Sequence, residues 1–302
     1  MKQYDRFGIA ICLLLTVFSV SLFAENRKLL KDTETAEKEN FEPEMKNALL
    51  QKEVSELTEE CQVYEDIDTQ IEEVKDQYFS LALELETKIV NGESEKKIAY
   101  LTFDDGPYYR SEKFLDVLEE YDVPATFFSL MKCAETGYAD EDEFYDSIYR
   151  RILSSGHTLG NHTATHKLGS GGVYRSVDAF MDEIVRNRDF IEDRYGYRTV
   201  IMRFPGGSAT SSKTPDIIPE LRKIGYGYVD WNSATGDGGK NQAPEVFRDN
   251  VLNNTNGRKI LVVLMHDYAQ NTLIALPEII EGLQKQGYIF LPLFYESSMV
   301  KK

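Results

Sequence analysis

The chain has 302 residues, of which 42% are apolar, which is enough for one large packed domain or two small ones. Its net charge of −17 and pI near 4.8 argue against a nucleic-acid partner, because phosphate groups are bound by clustered Lys and Arg. The cysteines, Cys12, Cys61 and Cys133, form neither a CxxC pair nor an even set, so no thiolate zinc site or disulfide framework is indicated. Any metal site must therefore use His and carboxylate ligands.

The N-terminal segment is apolar. Residues 7–24 contain no charged side chain and follow Lys2 and Arg6, the layout of a secretory signal or a membrane anchor. A cut after Ala24 would place the bulky Leu22 where a small residue is preferred, so we favour an uncleaved anchor over a cleaved signal peptide. A buried core helix is the remaining alternative. We expect an extracytoplasmic protein, anchored to a membrane through this segment, or secreted if the signal is cleaved.

An acidic segment follows at residues 25–92, with 19 Asp and Glu against 8 Lys and Arg. Residues 25–45 are typical of a polar linker. Beyond them, apolar side chains recur at steps of three and four, which predicts a helical stalk with a heptad stripe. This helix, residues 54–89, either forms a homodimeric coiled coil or folds against its own catalytic domain, because its charges show no clear pairing. The stripe consists of Val54, Leu57, Cys61, Tyr64, Ile67, Ile71, Val74, Tyr78, Leu81 and Leu85.

Residues 93–302 alternate apolar runs with helical patterns. The predicted strands are centred on KIAYLTFDD, ATFFSL, HTLGNH, VIMRFP, GYVDWN, KILVVLMHD and YIFLPLF. The predicted helices include FLDVLEEYD, EFYDSIYRRILSSG, VDAFMDEIVRNRDFIEDRYG, IIPELRKIG, VFRDNVLNN and LPEIIEGLQKQG. Strict alternation indicates parallel strands with right-handed crossovers. We predict an α/β domain built as a distorted (β/α) barrel of about seven strands, and a doubly wound open sheet fits almost as well.

Polar residues recur where the predicted strands end. In a β/α barrel, the carboxyl ends of the strands carry the active site. Each of these residues alone has an ordinary structural explanation, but together they indicate a catalytic face. They are Asp104, Asp105, His162, Arg203, Asp237, His266 and Asp267.

The HTATH segment contains two histidines, His162 and His166. Four-residue spacing places both imidazoles on one side of a helical turn, close enough to bind one metal ion. As a lone pair they are also compatible with an ordinary helix surface, so a third ligand is needed. Asp105 offers a hard carboxylate, and two His with one carboxylate leave coordination positions open, as in catalytic sites.

The TFDDGP segment places Asp104 and Asp105 side by side at the end of an apolar strand. Consecutive side chains in a strand point in opposite directions. One carboxylate can therefore bind a metal ion while the other reaches a reacting water. A solvated turn at a strand end is the alternative interpretation.

Five segments of the chain resemble, in order, the five motifs of the NodB-homology polysaccharide deacetylases, carbohydrate esterase family 4. They are TFDDGP, HTATH, RFPGG, the segment around Asp237, and LVVLMHD. The resemblance spans residues 97–295, and five separated motifs in the correct order and spacing make it specific. It implies metal-dependent hydrolysis of acetyl groups on N-acetylated sugars, with Zn²⁺ or Co²⁺ as the cofactor.

The resemblance also implies roles for single residues. Asp104 matches the catalytic base, and Asp105, His162 and His166 match the metal ligands. Arg203 matches the arginine that orients the base.

On the same grounds, His266 matches the general acid, and Asp237 matches the aspartate that tunes it. Gly206 occupies the position whose backbone N–H helps to hold the oxyanion, and Leu264 matches the apolar residue of the acetyl pocket.

The chain departs from the family pattern at two positions. Gly206 stands where the family often has Tyr, and Gly238 stands where it often has Trp, which puts the substrate preference in doubt. Trp231 and Tyr228 lie nearby in sequence but are compatible with a core role, and His157 is compatible with a structural role.

The expected partner is a cell-wall or extracellular N-acetylated glycan. Peptidoglycan N-acetylglucosamine is favoured because an anchored stalk would hold the active site near the cell wall. Chitin oligomers, poly-N-acetylglucosamine, N-acetylmuramic acid and O-acetylated xylan are alternatives, as is a catalytically silent glycan-binding protein. A serine hydrolase is disfavoured, because the chain has no GxSxG motif and Ser208 follows a Gly-Gly turn without a neighbouring base.

Overall fold

A computed structural model describes residues 51–52, 54–55, 79–131, 142–294 and residue 300. The predicted anchor, the polar linker, most of the stalk helix and the three cysteines lie outside this part of the chain. Among the described residues, no helix is both long enough and apolar enough to cross a bilayer.

The chain divides into two compact units, Met1–Ser80 and Leu81–Lys302. Residues 81–92, which the composition assigned to the stalk, thus belong to the second unit. The three-part domain division itself stays a prediction.

All strands in the described part of the second unit belong to one parallel sheet, as the alternation predicted. Each predicted strand is present, although several are short. The strands are β1 (Lys97–Asp104), β2 (Thr126–Ser129), β3 (Thr158–Asn161), β4 (Ile201–Met202), β5 (Gly227–Tyr228), β6 (Ser233–Ala234), β7 (Ile260–His266) and β8 (Tyr288–Phe290).

The helices between the strands are also those predicted. The longest of the described helices shows a signal at each end: Ser176 caps its start by accepting a hydrogen bond from the Ala179 N–H, and Gly196 ends it in the left-handed conformation. The helices are α1 (residues 79–90), α2 (Ser111–Glu120), α3 (Asp142–Ser154), α4 (Val177–Tyr195), α5 (Thr214–Lys223), α6 (Pro244–Leu252) and α7 (Gln270–Lys285).

The sheet has the order β5-β4-β3-β2-β1-β7-β6, and β8 pairs with the first half of β1. The central strand β1 is buried on both faces, as its continuous apolar sequence predicts. Apolar side chains of β1, β2 and β7 pack against α2, α3, α6 and α7 to form the main core, and a second cluster lies between β4, α4 and α5.

The sheet curls, but it is not a fully hydrogen-bonded barrel of seven strands. The predicted strand GYVDWN is split: β5 pairs with β4, and the additional short strand β6 pairs with β7. The Val229 N–H still bonds to Met202 on one side, whereas the Asn232 N–H bonds to Val262 on the other. The segment 229–232 therefore crosses between the two edges, and the curled sheet is completed by the chain itself rather than by a β5–β6 ladder.

Helix α1 carries two residues of the predicted stripe, Leu81 and Leu85, and buries neither of them fully. Leu81 is 65% exposed, whereas Ala82, Glu86 and Ile89 are buried. The Glu86 carboxylate accepts a hydrogen bond from the buried Tyr100 hydroxyl of β1. Because this polar pair lies between α1 and the sheet, the face next to the predicted stripe packs on the catalytic domain.

Candidate active site

The predicted site residues meet at the carboxyl edge of the sheet. Asp104 and His266 are the last residues of β1 and β7 and are direct neighbours in the register. Leu264 lies two residues before His266, so both side chains point to the same face of β7. The sheet thus brings together groups that are more than 160 residues apart in sequence.

Asp104 and Asp105 face the same imidazole rather than opposite sides of the strand. Asp104 Oδ2 lies 3.8 Å and Asp105 Oδ1 lies 3.5 Å from His162 Nε2. The strand ends at Asp104, and Asp105 takes a left-handed conformation with φ of 73°. The alternation expected of a strand therefore does not apply to this pair, and the turn directs the Asp105 carboxylate back toward the site.

The HTATH segment is a loop rather than the predicted helical turn. Thr163 and His166 both have left-handed backbone, with φ of 69° and 53°. The loop is held by the Thr163 N–H, which donates to Asn161 Oδ1 at 2.9 Å, and by the His166 N–H, which donates to Thr163 Oγ1 at 3.0 Å. The two imidazole centroids still lie 4.8 Å apart, so the predicted convergence is present although its local geometry is different.

Asp105, His162 and His166 fit a metal ion. One ligand atom from each lies within 4.8 Å of the others, and Asp105 Oδ1 is 3.5 Å from both Nε2 atoms. Asp105 Oδ1 is also buried without a hydrogen-bond partner among the described residues. A cation between these atoms would satisfy it.

A backbone carbonyl orients His162 for metal binding. Its Nδ1 lies 2.8 Å from the Arg203 carbonyl oxygen, which selects the tautomer with the proton on Nδ1 and directs the Nε2 lone pair toward Asp105. Burial lowers the pKa of His162 to about 3, and the Asp105 carboxylate offsets this only in part. The imidazole is therefore neutral, the form that binds metal ions.

Asp104 is held by Arg203, and both side chains are buried. One guanidinium nitrogen of Arg203 donates to Asp104 Oδ1 at 2.8 Å and to Thr102 Oγ1 at 2.7 Å. Burial raises the pKa of Asp104, and the Arg203 charge counteracts this rise without cancelling it. The result is a carboxylate with one fixed oxygen and an increased affinity for a proton.

His266 is held by Asp237. The His266 Nδ1 lies 2.7 Å from Asp237 Oδ1, and Asp237 Oδ2 accepts from the His266 N–H at 2.9 Å and from the Thr272 hydroxyl at 2.7 Å. Burial alone would lower the pKa of His266, but the Asp237 carboxylate, with Asp104 and Asp105, outweighs burial and raises this pKa to about 9. His266 is thus a protonated imidazole at neutral pH, and its Nε2 lies 3.8 Å from Asp105 Oδ2.

Gly206 lies in a tight turn after Arg203. The Gly207 N–H donates to the Phe204 carbonyl at 2.7 Å, and Gly206 has φ of 75°. With Pro205 before it, this is the pattern of a type II turn, which requires positive φ at its third residue. Gly206 is exposed, and no group of the described chain accepts a hydrogen bond from its N–H.

Some residues at the site were not predicted from sequence. The Tyr268 ring lies 5.1 Å from the His266 ring and contacts Tyr108 edge to face at 5.3 Å. Gly238 also lies next to this imidazole, because a Cβ at that position would be 3.0 Å from His266 Cε1. Tyr268 directly follows the LVVLMHD segment, and this position next to a motif is the feature of the sequence that could have indicated it as a site residue.

Other residues take structural roles. His157 Nδ1 accepts a hydrogen bond from the Ala125 N–H at 3.1 Å, and Tyr228 packs on Phe204 in the second core cluster. Asp267 is buried directly beneath Gly106 and accepts a hydrogen bond from the Ser111 hydroxyl. Because the Ser208 hydroxyl donates to Asp230 at 2.5 Å, this serine has a carboxylate rather than an imidazole as its partner.

The chain is similar to known polysaccharide deacetylases. The polysaccharide deacetylase family matches residues 91–229. The putative polysaccharide deacetylase YheN of Bacillus subtilis is 35% identical over 199 residues, 64% of this chain and 66% of that protein. A peptidoglycan-N-acetylglucosamine deacetylase of Bacillus cereus is 32% identical over 205 residues, 65% of this chain and 69% of that protein.

The fold is shared as well. The crystal structure of the catalytic domain of a peptidoglycan N-acetylglucosamine deacetylase from Eubacterium rectale has 34% sequence identity and a TM-score of 0.58, and the match covers 68% of this chain and 91% of that one.

Proposed function

Because the chain belongs to the polysaccharide deacetylases of carbohydrate esterase family 4, hydrolases of acetyl groups on glycans, we propose that it removes acetate from peptidoglycan N-acetylglucosamine with one divalent metal ion. The observation that carries the proposal is the convergence of Asp105, His162 and His166 beside the Arg203-held carboxylate of Asp104. When bound there, Zn²⁺ or Co²⁺ supplies the Lewis acidity that polarises the acetyl carbonyl and acidifies water.

Asp104 acts as the base through one particular oxygen. Its Oδ1 is held by Arg203 at 2.8 Å, whereas Oδ2 faces His162. Oδ2 is therefore the atom that takes the proton from the attacking water. Burial, which raises the pKa of Asp104, strengthens this base relative to an exposed carboxylate.

His266 acts as the acid. Its Nδ1 is bound to Asp237, so Nε2 carries the proton toward the site and delivers it to the departing sugar nitrogen. The exposed N–H of Gly206 donates to the oxyanion that forms at the acetyl carbon, and loss of one such donor typically lowers kcat by about 10²-fold or more. Leu264, on the same face of β7 as His266, lines the pocket for the acetyl methyl.

Metal content and acetate release test this proposal in the full chain. Removal of the metal with a chelator should abolish acetate release, and Zn²⁺ or Co²⁺ should restore it. His162→Ala should lose both metal and activity, because it removes a ligand. Asp104→Asn should keep stoichiometric metal and lose most activity, so an active Asp104→Asn enzyme would exclude Asp104 as the base.

The preference for peptidoglycan N-acetylglucosamine is supported by the named substrate of the Bacillus cereus relative. Acetate release from peptidoglycan, chitin oligomers, poly-N-acetylglucosamine and O-acetylated xylan would rank these substrates. Release from every polymer except peptidoglycan would contradict the preference while leaving the deacetylase activity intact. Metal and glycan binding without acetate release would indicate a silent glycan-binding protein.

An extracytoplasmic location, with anchoring through residues 7–24, is part of the proposal and is supported by the uncharged apolar run of that segment. Fractionation of cells that express the full chain and a chain lacking residues 1–24 would test it. Homodimerisation through the 54–89 helix is supported by the exposure of Leu81. Sedimentation of the full chain and of Leu81→Glu would test that contact.

A further inference from the structure

The Pro205–Gly206 peptide group is held by a residue far away in sequence. The Tyr174 hydroxyl donates a hydrogen bond to the Pro205 carbonyl oxygen at 2.9 Å. Tyr174 belongs to the 3-10 helix Val173–Arg175, which precedes α4. Pro205 belongs to the RFPGG segment, whereas Tyr174 lies outside all five motifs.

A peptide group is planar, and in the trans form its C=O and N–H point in opposite directions. Fixing the Pro205 carbonyl therefore fixes the direction of the Gly206 N–H. This matters in a turn, because type I and type II turns differ mainly in the orientation of their central peptide. The positive φ of Gly206 places this turn in the type II class.

We propose that Tyr174 is a positioning residue that directs the Gly206 N–H toward the oxyanion; this inference rests on the oxyanion role proposed above. The Tyr174 hydroxyl bonds to the turn and not to Asp105, His162 or His166. It acts by keeping the central peptide of the turn from rotating.

Tyr174 is well placed for this task. Its ring stacks on Phe180 of α4 at 5.2 Å, and Phe180 in turn stacks on Phe204 of the turn at the same distance. Burial and the Asp230 carboxylate raise the pKa of Tyr174, so the phenol keeps its proton and remains a donor. The Val173 N–H donates to the Lys167 carbonyl at 2.7 Å, which joins the Tyr174 segment to the loop that carries His166.

The other end of the turn is held independently. Asp230 accepts from the Ser208 N–H at 2.8 Å and from the Ser208 hydroxyl at 2.5 Å, and its own carbonyl accepts from Arg203 at 3.0 Å. The Thr210 hydroxyl donates to the Gly206 carbonyl at 2.6 Å. Since these contacts persist without Tyr174, removal of its hydroxyl should loosen only the Pro205–Gly206 peptide.

The test is Tyr174→Phe in the metal-loaded full chain. The variant keeps the stacked ring and loses one hydrogen bond, so kcat should fall roughly 10-fold while KM stays within about twofold, because the oxyanion exists only in the transition state. Tyr288→Phe is the matched control: its hydroxyl donates to the Arg258 carbonyl at 2.5 Å at the opposite edge of the sheet, and kcat should not change.

A second substrate distinguishes two causes of activity loss in Tyr174→Phe, the loss of Gly206 N–H positioning and a partial misfolding of the variant. An N-trifluoroacetyl sugar forms a less basic oxyanion, which depends less on a hydrogen-bond donor, so the Tyr174→Phe penalty should shrink on it. An equal loss on N-acetyl and N-trifluoroacetyl substrates would overturn the inference, as would a wild-type kcat in Tyr174→Phe. Both results leave the proposed function standing, whereas a wild-type enzyme that releases no acetate from any glycan would remove the function itself.

Discussion

His157 and His266 are imidazoles at opposite edges of the same sheet, and His157 is buried whereas His266 is half-buried. His157 directly precedes β3, and burial together with the nearby Arg151 lowers its pKa to about 3. His266 ends β7, where the Asp237 carboxylate outweighs burial and raises its pKa to about 9. The same side chain is thus neutral at one edge and charged at the other.

Between these two histidines, a directly hydrogen-bonded carboxylate decides the protonation state, because Asp237 outweighs the effect of burial at His266. The His157 ring accepts a backbone hydrogen bond and packs on Phe127 at 5.6 Å, which needs no proton transfer. His266 is bound to Asp237 through Nδ1 and keeps Nε2 for the site. This agrees with the general pattern of β/α folds, in which the carboxyl edge carries chemistry and the amino edge carries stability.

The largest expected change in activity appears when the same substitution is made separately at each of the two histidines. His266→Asn should lower kcat by about 10²-fold to 10⁴-fold, the usual contribution of a general acid. His157→Asn should stay within about twofold of wild type at neutral pH, because the Asn oxygen can accept the Ala125 N–H in place of Nδ1. Acetate release measures kcat for both variants. A comparable loss of kcat in the two would show that the two histidines do not differ in their catalytic importance.

The next effect depends on pH. Asp237→Asn removes the carboxylate that keeps His266 protonated, so its pKa should fall from about 9 toward the ordinary 6.5. At pH 8 the protonated fraction, and with it activity, should drop about 30-fold, and near pH 6 the loss should be much smaller. Rate profiles of kcat/KM against pH measure the shift. A loss of equal size at every pH would mean that Asp237 supports the fold and does not set the protonation of His266.

Sequence reasoning selected Asp105, His162 and His166, which the fold brings together, and placed Asp104 and His266 at the same edge of the sheet. It also predicted the helices between the described strands, because these features depend on residue type and order. It did not give the local geometry. Asp105, Thr163 and His166 reach the site through left-handed backbone, and only a weak enrichment of Asp and His in that region hints at it. The alternation of a strand and the period of a helix both gave the wrong side-chain directions at these positions.

Two other features could not be predicted from the sequence, because they depend on how distant segments meet in the fold. Strand β6 has two residues, too few for any periodic pattern, and its pairing with β7 depends on where the chain crosses the curled sheet. The contact between Tyr174 and Pro205 joins two loops that no pattern relates. A third case is α1: its apolar stripe was visible in the sequence, but the structure buries the neighbouring face, where the Tyr100 hydroxyl donates a hydrogen bond to Glu86.

The smallest effect at neutral pH concerns the stability contributed by His157. Its folded pKa of about 3 lies below the unfolded value near 6.5, so below pH 6.5 the unfolded chain binds one more proton than the folded chain. Wild-type stability should therefore fall, through this residue alone, by about 1.4 kcal/mol per pH unit between pH 6 and pH 4. His157→Asn keeps a hydrogen-bond acceptor for the Ala125 N–H but removes the titrating group. The free energy of unfolding of this variant should therefore fall less steeply with decreasing pH than that of wild type, and the two slopes should differ by the amount just given. The carboxylates titrate in both proteins, so their contribution cancels when the unfolding free energies of wild type and variant are subtracted. Denaturant unfolding of both proteins at several pH values measures this difference. Parallel curves for the two proteins would mean that His157 can become charged without unfolding, and the contrast with His266 would then lie in function alone.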